Sequence, residues 1–244
     1  VVLVSGEAGI GKTALATDLW REALASGSVV LRGNCYDLTE TPPFGPWIEL
    51  SQRFQLEQST GVAPPGFNNN RQRGALFEDC ERYLDEVSRR HPCVLLLEDF
   101  HWADSASLDL LRFLARRVNS RAVLVVVTYR LDELHRGHPL AGLIPLLVRE
   151  SHAVRLDLRP LASSHVETLL RTRYALAESD AARLAGYLMD RTEGNPLFIS
   201  ELLRTFEDER LLEQVDGTWR VRTVAPIPVP YLLKQIIDVR LLRM

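Results

Sequence analysis

The chain has 244 residues, 46% of them hydrophobic and 25% charged, with a formal net charge of −3. That is enough apolar material to bury a core, which excludes a disordered chain, and the near-balance of charge excludes a strongly basic nucleic-acid surface. The length allows one large domain, or a medium domain with a smaller one.

Lys12 and Lys234 are the two lysines among 29 basic residues, so the other 27 are arginines. A lysine in a functional motif therefore stands out from background. Cys35, Cys80 and Cys93 form neither a CxxC pair nor an even disulfide set. They read as thiols of a reducing compartment, which with the lack of a signal peptide or an apolar run of membrane-spanning length predicts a cytoplasmic protein without membrane contact. Val1 already belongs to a strand and Ile236–Met244 is an apolar helical pattern stopped part-way, so the sequence reads as an internal piece of a longer protein.

In chain order, Val1–Ser5 is an apolar run ended by glycine, as a buried parallel strand would be. A helix over 12–25 follows, with Leu15, Leu19, Trp20, Ala23 and Leu24 predicted on its apolar face. Ser28–Arg32 reads as the second strand, Thr41–Pro46 as a proline-rich turn, Trp47 as the start of a short helix, and Glu57–Asn70 as a surface loop. Leu76, Phe77, Cys80, Tyr83, Leu84 and Val87 form a helical stripe. Strands are predicted at Cys93–Leu97, Ala122–Val127 and Val154–Leu158, with a helix over 105–118 whose N-cap is Asp104.

This alternation predicts an α/β fold around a parallel sheet covered on both faces. From Pro160 the pattern turns helical. Ser164-x-x-Glu167 has the form of a capping box, Leu184, Ala185 and Leu188 form a stripe, and Asn195-Pro196 reads as an N-cap followed by proline at the first helical position. Gln214–Arg222 reads as a hairpin turning at Asp216-Gly217, and residues 230–243 as a further helix.

Gly6-Glu7-Ala8-Gly9-Ile10-Gly11-Lys12-Thr13 matches G-x-x-x-x-G-K-[ST], between a strand and an amphipathic helix. A triphosphate needs inward-pointing backbone N–H groups, which a tight glycine-permitted loop at a helix N-terminus supplies. Residues Gly6 to Thr13, with Ala14, are thus the candidate nucleotide-binding residues; Lys12 would neutralise the β- and γ-phosphates and the Thr13 hydroxyl would ligate Mg²⁺. Val94–Leu97 followed by Glu98-Asp99 puts two acids at the C-terminal edge of a strand, the edge where ligands bind in open α/β sheets. One acid, Glu98, would hold Mg²⁺, and Asp99 would orient or deprotonate the attacking water. His101 and Trp102 read as structural loop residues rather than a base or a stacking platform. Arg130 follows a buried strand and is placed to sense the γ-phosphate.

These motifs together resemble the STAND class of AAA+-related ATPases (signal-transduction ATPases with numerous domains), and most of all the ATPase module of large LuxR-type bacterial transcriptional regulators. The resemblance spans essentially the whole chain and rests on GEAGIGKT at 6–13, LLLLEDFHWAD at 94–104, VVVTYR at 125–130 and RTEGNPLFISELL at 191–203. It implies a P-loop NTPase core with a five-stranded parallel sheet over residues 1–158, a helical lid over 159–212, and a truncated winged-helix-like segment over 213–244, plain from Val229 onward. It also implies ATP or ADP with Mg²⁺ as ligands, Glu98 and Asp99 as the cation and water-activating pair, Arg130 as the sensor arginine, and Pro196 as a contact to the adenine or ribose from the lid. The family's usual acid pair is Asp-Asp, where this chain has Glu98-Asp99, and the family's Gly-Arg-Glu element before the first strand is absent.

The function expected is a slow, regulatory ATP hydrolase: a switch whose output and sensor domains lie elsewhere in the same longer chain, with self-association on activation left open. The alternatives are a non-hydrolysing nucleotide-binding scaffold and, more remotely, an origin-recognition-like DNA-binding ATPase. Direct nucleic-acid contact by this piece is not expected, since it carries no basic stripe.

Overall fold

Runs of β-branched and leucine residues, each closed by a turn, make the five strands of the sheet: β1 (Val2–Ser5), β2 (Val29–Asn34), β3 (Cys93–Glu98), β4 (Val123–Tyr129) and β5 (Val154–Asp157). The computed structural model describes residues 1–37, 42–57, 64–67, 72–215 and 218–221. The strand order is β2-β3-β4-β1-β5, and every pairing is parallel. Parallel strands need crossovers, and these are α1 (Lys12–Ala25), α2 (Gly45–Glu57), α3 (Arg73–Arg90), α4 (Ser105–Ala115) and α5 (Pro139–Ser151).

Successive strand residues face opposite sides of the sheet. Leu3, Leu31, Leu95, Leu97, Val125 and Val127 pack on one face with buried residues of α2, α3, α4 and α5. Val4, Val30, Val94, Leu96 and Val126 pack on the other with Ala23, Leu19 and Trp20 of α1. All six residues of β3 are buried, as a central strand requires. β5 is the exception to the expected two-sided cover: it lies at the edge with all four residues exposed.

Local departures from the sequence reading have physical causes. Leu15 and Leu24 are 41% and 40% exposed, because α1 meets the sheet through Leu19, Trp20 and Ala23, which leaves these two leucines at the margins of the contact. The helix α2 starts at Gly45, two residues before Trp47. Phe67, within the expected surface loop, packs against the core beside Phe44 at 5.8 Å between ring centroids. The helix expected to run to 118 stops at Ala115, and a single 3-10 turn follows at Val118–Ser120. α5 has no counterpart in the sequence reading.

A second compact unit gathers Gly9–Gly11 with the described residues from Arg159 onward. Its described elements are α6 (Ser163–Tyr174), α7 (Glu178–Thr192), α8 (Pro196–Asp208), β6 (Leu212–Val215) and β7 (Thr218–Val221). Val166, Leu170, Tyr174, Leu184, Leu188 and Phe206 form its core. The capping box does not form: α6 begins at Ser163, its N-cap is Ala162, and Glu167 instead accepts from the Ser163 hydroxyl at 3.3 Å. Asn195 does cap α8, accepting from the Leu197 N–H at 3.1 Å, and Pro196 follows at the first position. β6 and β7 pair antiparallel with Val215 opposite Thr218. The Asp216-Gly217 turn, Arg222, the 230–243 helix and the segment from Val229 lie outside the described residues.

Candidate nucleotide site

The loop between β1 and α1 is built by glycine. Gly9 and Gly11 have φ of 75° and 104°, a region that L side chains rarely adopt. The loop hands directly into α1 at Lys12, so the helix N-terminus and its unpaired N–H groups lie in the loop. Lys12 is 6% exposed, and its Nζ donates to the carbonyls of Gly6 at 2.9 Å and Glu7 at 2.7 Å. Burial lowers the Lys12 pKa first, Arg130 lowers it further, and Asp99, Asp132 and Glu7 pull it back up. Glu7, Ala8, Thr13 and Ala14 are exposed, and Ile10 is buried.

The strand order sets β4 between β1, which leads into the loop, and β3, which carries the acids. Asp99 leaves β3 in a left-handed conformation, φ 51° and ψ 41°, which aspartate tolerates better than most residues. Its N–H donates to the Thr128 hydroxyl on β4 at 3.0 Å. Two residues on, Arg130 lies with its guanidinium 5.1 Å from the centre of the Trp102 ring and 3.6 Å from Glu133. Lys12, Asp99, Thr128 and Arg130 thus gather at the C-terminal edge of the sheet.

Glu98 differs from its neighbour. It is 3% exposed, and its Oε1 accepts from the Nε of Arg32 on β2 at 2.7 Å. Sequence reasoning missed Arg32. The available signal was an arginine inside Val29-Val30-Leu31-Arg32, an otherwise apolar run that calls for a charge partner.

His101 follows in the turn after β3. It is 3% exposed, its ring lies 4.5 Å from that of Trp102 at a tilt of 41°, and among the described residues neither ring nitrogen has a hydrogen-bond partner. Burial, then Arg130, Lys12 and His138, push its pKa down to about 3. Pro196 belongs to the second unit, half-buried at the start of α8. In that unit the Leu197 N–H also donates to the Gly9 carbonyl at 3.2 Å.

The residues present fit a Mg²⁺ nucleotide. Mg²⁺ is commonly bound by one or two protein oxygens with substrate phosphates and waters. The Thr13 hydroxyl and the Glu98 carboxylate are oxygen donors of that kind, and Lys12, next to Thr13, is buried at the end of the glycine loop.

A family described as AAA ATPase domain matches residues 1–127, more than half of the chain. The chain belongs to that family. A domain of unknown function matches residues 164–220 of this AAA ATPase chain. An uncharacterized protein of Rhizobium meliloti (strain 1021) is 30% identical over 247 residues, covering 83% of the chain and 22% of the relative. Among solved structures, Cdc6p from Pyrobaculum aerophilum is similar with a TM-score of 0.57 at 14% identity, over 86% of this chain and 56% of that one. AMPPCP-bound DnaA from Aquifex aeolicus has a TM-score of 0.48 at 13% identity, over 84% and 54%. The chain therefore spans about a fifth of its curated relative and just over half of these structures. The likeness to Cdc6p is one of fold: an α/β nucleotide-binding fold on a five-stranded parallel sheet. No helix among the described residues is long and apolar enough to cross a membrane.

Proposed function

We propose that this AAA ATPase domain is the nucleotide-operated switch of a longer bacterial signalling or transcription-regulatory protein, of the STAND class, binding ATP with Mg²⁺ and hydrolysing it slowly. The observation that carries the reading is the gathering of Lys12, Asp99, Thr128 and Arg130 at one sheet edge, with the Asp99 backbone tied to Thr128 at 3.0 Å.

In this reading Lys12 exchanges its two carbonyl partners for phosphate oxygens, a stronger charge-assisted pairing. The loop N–H groups at the start of α1 hold the phosphates. Asp99 orients the attacking water and accepts its proton, and Arg130 stabilises charge at the γ-phosphate. Mg²⁺ would supply neutralisation of phosphate charge, and Thr13 and Glu98 are the residues that would hold it. The Gly194-Asn195-Pro196 element at the start of α8 supports a lid role for residues 159–212, with Pro196 reading the nucleoside. Loss of the γ-phosphate then shifts the population of lid states, and the output lies in other domains of the longer protein.

Calorimetric titration with ATP and ADP in Mg²⁺ tests the site. Lys12→Ala is expected to weaken ATP binding about 100-fold or more, roughly 2.7 kcal/mol. Equal binding by both proteins would remove the phosphate-loop assignment.

A non-hydrolysing scaffold is the second reading, and the Arg32–Glu98 pair favours it, because one oxygen of the first acid is already engaged. Single-turnover hydrolysis separates the two: Asp99→Ala abolishes turnover in a switch and leaves a scaffold's background rate unchanged. The fold likeness to Cdc6p does not favour a DNA-binding role.

A further inference from the structure

Arg32 and the buried Glu98 form a part-buried ion pair at the end of β3. Nε to Oε1 is 2.7 Å, with the arginine side chain 27% exposed and the glutamate side chain 4%. The register of β2 and β3 sets Arg32 opposite Leu96, so Arg32 and Glu98 project from the same face of the sheet. The guanidinium also lies 5.9 Å from the ring centre of Trp20, in the helix that follows the phosphate loop. In the strand order, β2 flanks β3 on the side away from β4 and β1. Arg32 therefore holds the Glu98 carboxylate toward the flank remote from the strand that feeds the loop.

We propose that Arg32 is a latch on Glu98 that competes with the divalent cation for the first acid of the site. The inference rests on the nucleotide reading given above. An ionised carboxylate this buried is costly to hold without a positive partner. Arg32 is that partner in the present structure, and its charge diminishes the attraction of the same carboxylate for a second cation. Two partners that oppose each other on one group lower each other's affinity by the same factor. Glutamate rather than aspartate at position 98 is what allows the latch. An aspartate carries its carboxylate about 1.5 Å further back, too far for a 2.7 Å contact from the same arginine rotamer. Arg32 is a positioning residue: it acts on the cation only through Glu98.

The test is ATP affinity measured by calorimetry on the 244-residue chain, once in EDTA and once in Mg²⁺. The ratio of the two affinities reports the cation's contribution without requiring turnover. Thermal melts establish that each variant is folded. Arg32→Gln is expected to raise the ratio about fivefold or more while leaving affinity in EDTA within about twofold. Glu98→Asp keeps the charge and drops the contact, so it moves the ratio in the same direction, and it decides the matter if Arg32→Gln does not fold. An unchanged ratio in the folded variants overturns the latch. A lowered ratio also overturns it and makes Arg32 a support that presents Glu98 to the cation. If the wild type binds no ATP in either buffer, or Lys12→Ala binds as well as wild type, the nucleotide reading falls and the latch falls with it.

Discussion

The Thr128 hydroxyl accepts the backbone N–H of Asp99 at 3.0 Å, tying the end of β4 to the end of β3 at the residue where the chain turns left-handed. The bond fixes where Asp99 leaves its strand, and so where its carboxylate begins. Thr128→Val keeps the shape and removes the acceptor. It leaves a part-buried N–H unpaired, expected to destabilise the fold by about 1–2 kcal/mol. If Asp99 activates water, turnover should fall further than ATP affinity, and Thr128→Ser should restore both. Melting curves with single-turnover rates check this. A variant with wild-type stability and rate would mean that the tie has no part in placing the acid.

Arg130 offers a cleaner separation of structure from function. Its contacts are the face of Trp102 and a 3.6 Å pairing with Glu133, with both charged side chains about a quarter exposed. Pairs of this kind contribute about 0–1 kcal/mol. Arg130→Ala should therefore leave the melting curve nearly unchanged. Its turnover should drop about tenfold or more, while ADP affinity, which involves no γ-phosphate, stays close to wild type. A fall in ATP and ADP affinity alike would instead place the arginine's action away from the γ-phosphate.

How far the sequence carried these assignments depended on whether each was local. β3 is legible because a strand buried on both faces must be apolar throughout, and Cys93–Leu97 is. The caps at Asp104 and Asn195 are legible because the capping side chain and its N–H partner lie within three residues of each other. The face of α1 was read in part: Leu19, Trp20 and Ala23 pack on the sheet as expected, whereas Leu15 and Leu24 at its margins are exposed and the small Ala16 is buried instead. α5 carries Leu140, Leu143, Ile144 and Leu147 at helical spacing, but Gly142 and Pro145 interrupt it with residues that usually break helices. The Arg32–Glu98 pair was out of reach for a different reason. Its partners are 66 positions apart and meet only through the register of β2 with β3.

His101 predicts a pH dependence of stability. Its pKa is about 3 in the folded protein against an ordinary 6.5, so between those values the unfolded chain binds more protons than the folded one. The contribution is fully present above about pH 6.5 and is lost progressively as pH falls toward 3. At pH 5 the loss amounts to about 2 kcal/mol. His101→Phe keeps a ring against Trp102 and cannot titrate. Its stability should fall less than that of wild type between pH 7 and pH 5, in chemical denaturation at each pH. Parallel curves for the two proteins would show that the imidazole is not held neutral by its surroundings.

The turn before α8 gives the sharpest contrast between strain and collision. Gly194 has φ 79°, and a Cβ there would sit 2.2 Å from the carbonyl oxygen of Leu161, a backbone atom with no rotamer to yield. The same carbonyl region is fixed by the Leu161 N–H, which donates to the Gly194 carbonyl at 2.8 Å. Gly194→Ala must therefore displace the backbone, at a cost of about 3 kcal/mol or more. Gly11 has φ 104° but open space around its Cβ position, so Gly11→Ala meets strain alone, about 1–2 kcal/mol. Asn195→Ala removes the cap on Leu197, about 1 kcal/mol. Hydrogen exchange distinguishes the three. Gly194→Ala should lose protection throughout α6, α7 and α8, whose core residues pack as one cluster. Asn195→Ala should lose it at the first turn of α8, and Gly11→Ala at the start of α1. Full protection of α8 in Gly194→Ala would mean that Leu161 can move aside and that the close approach is not what sets this turn.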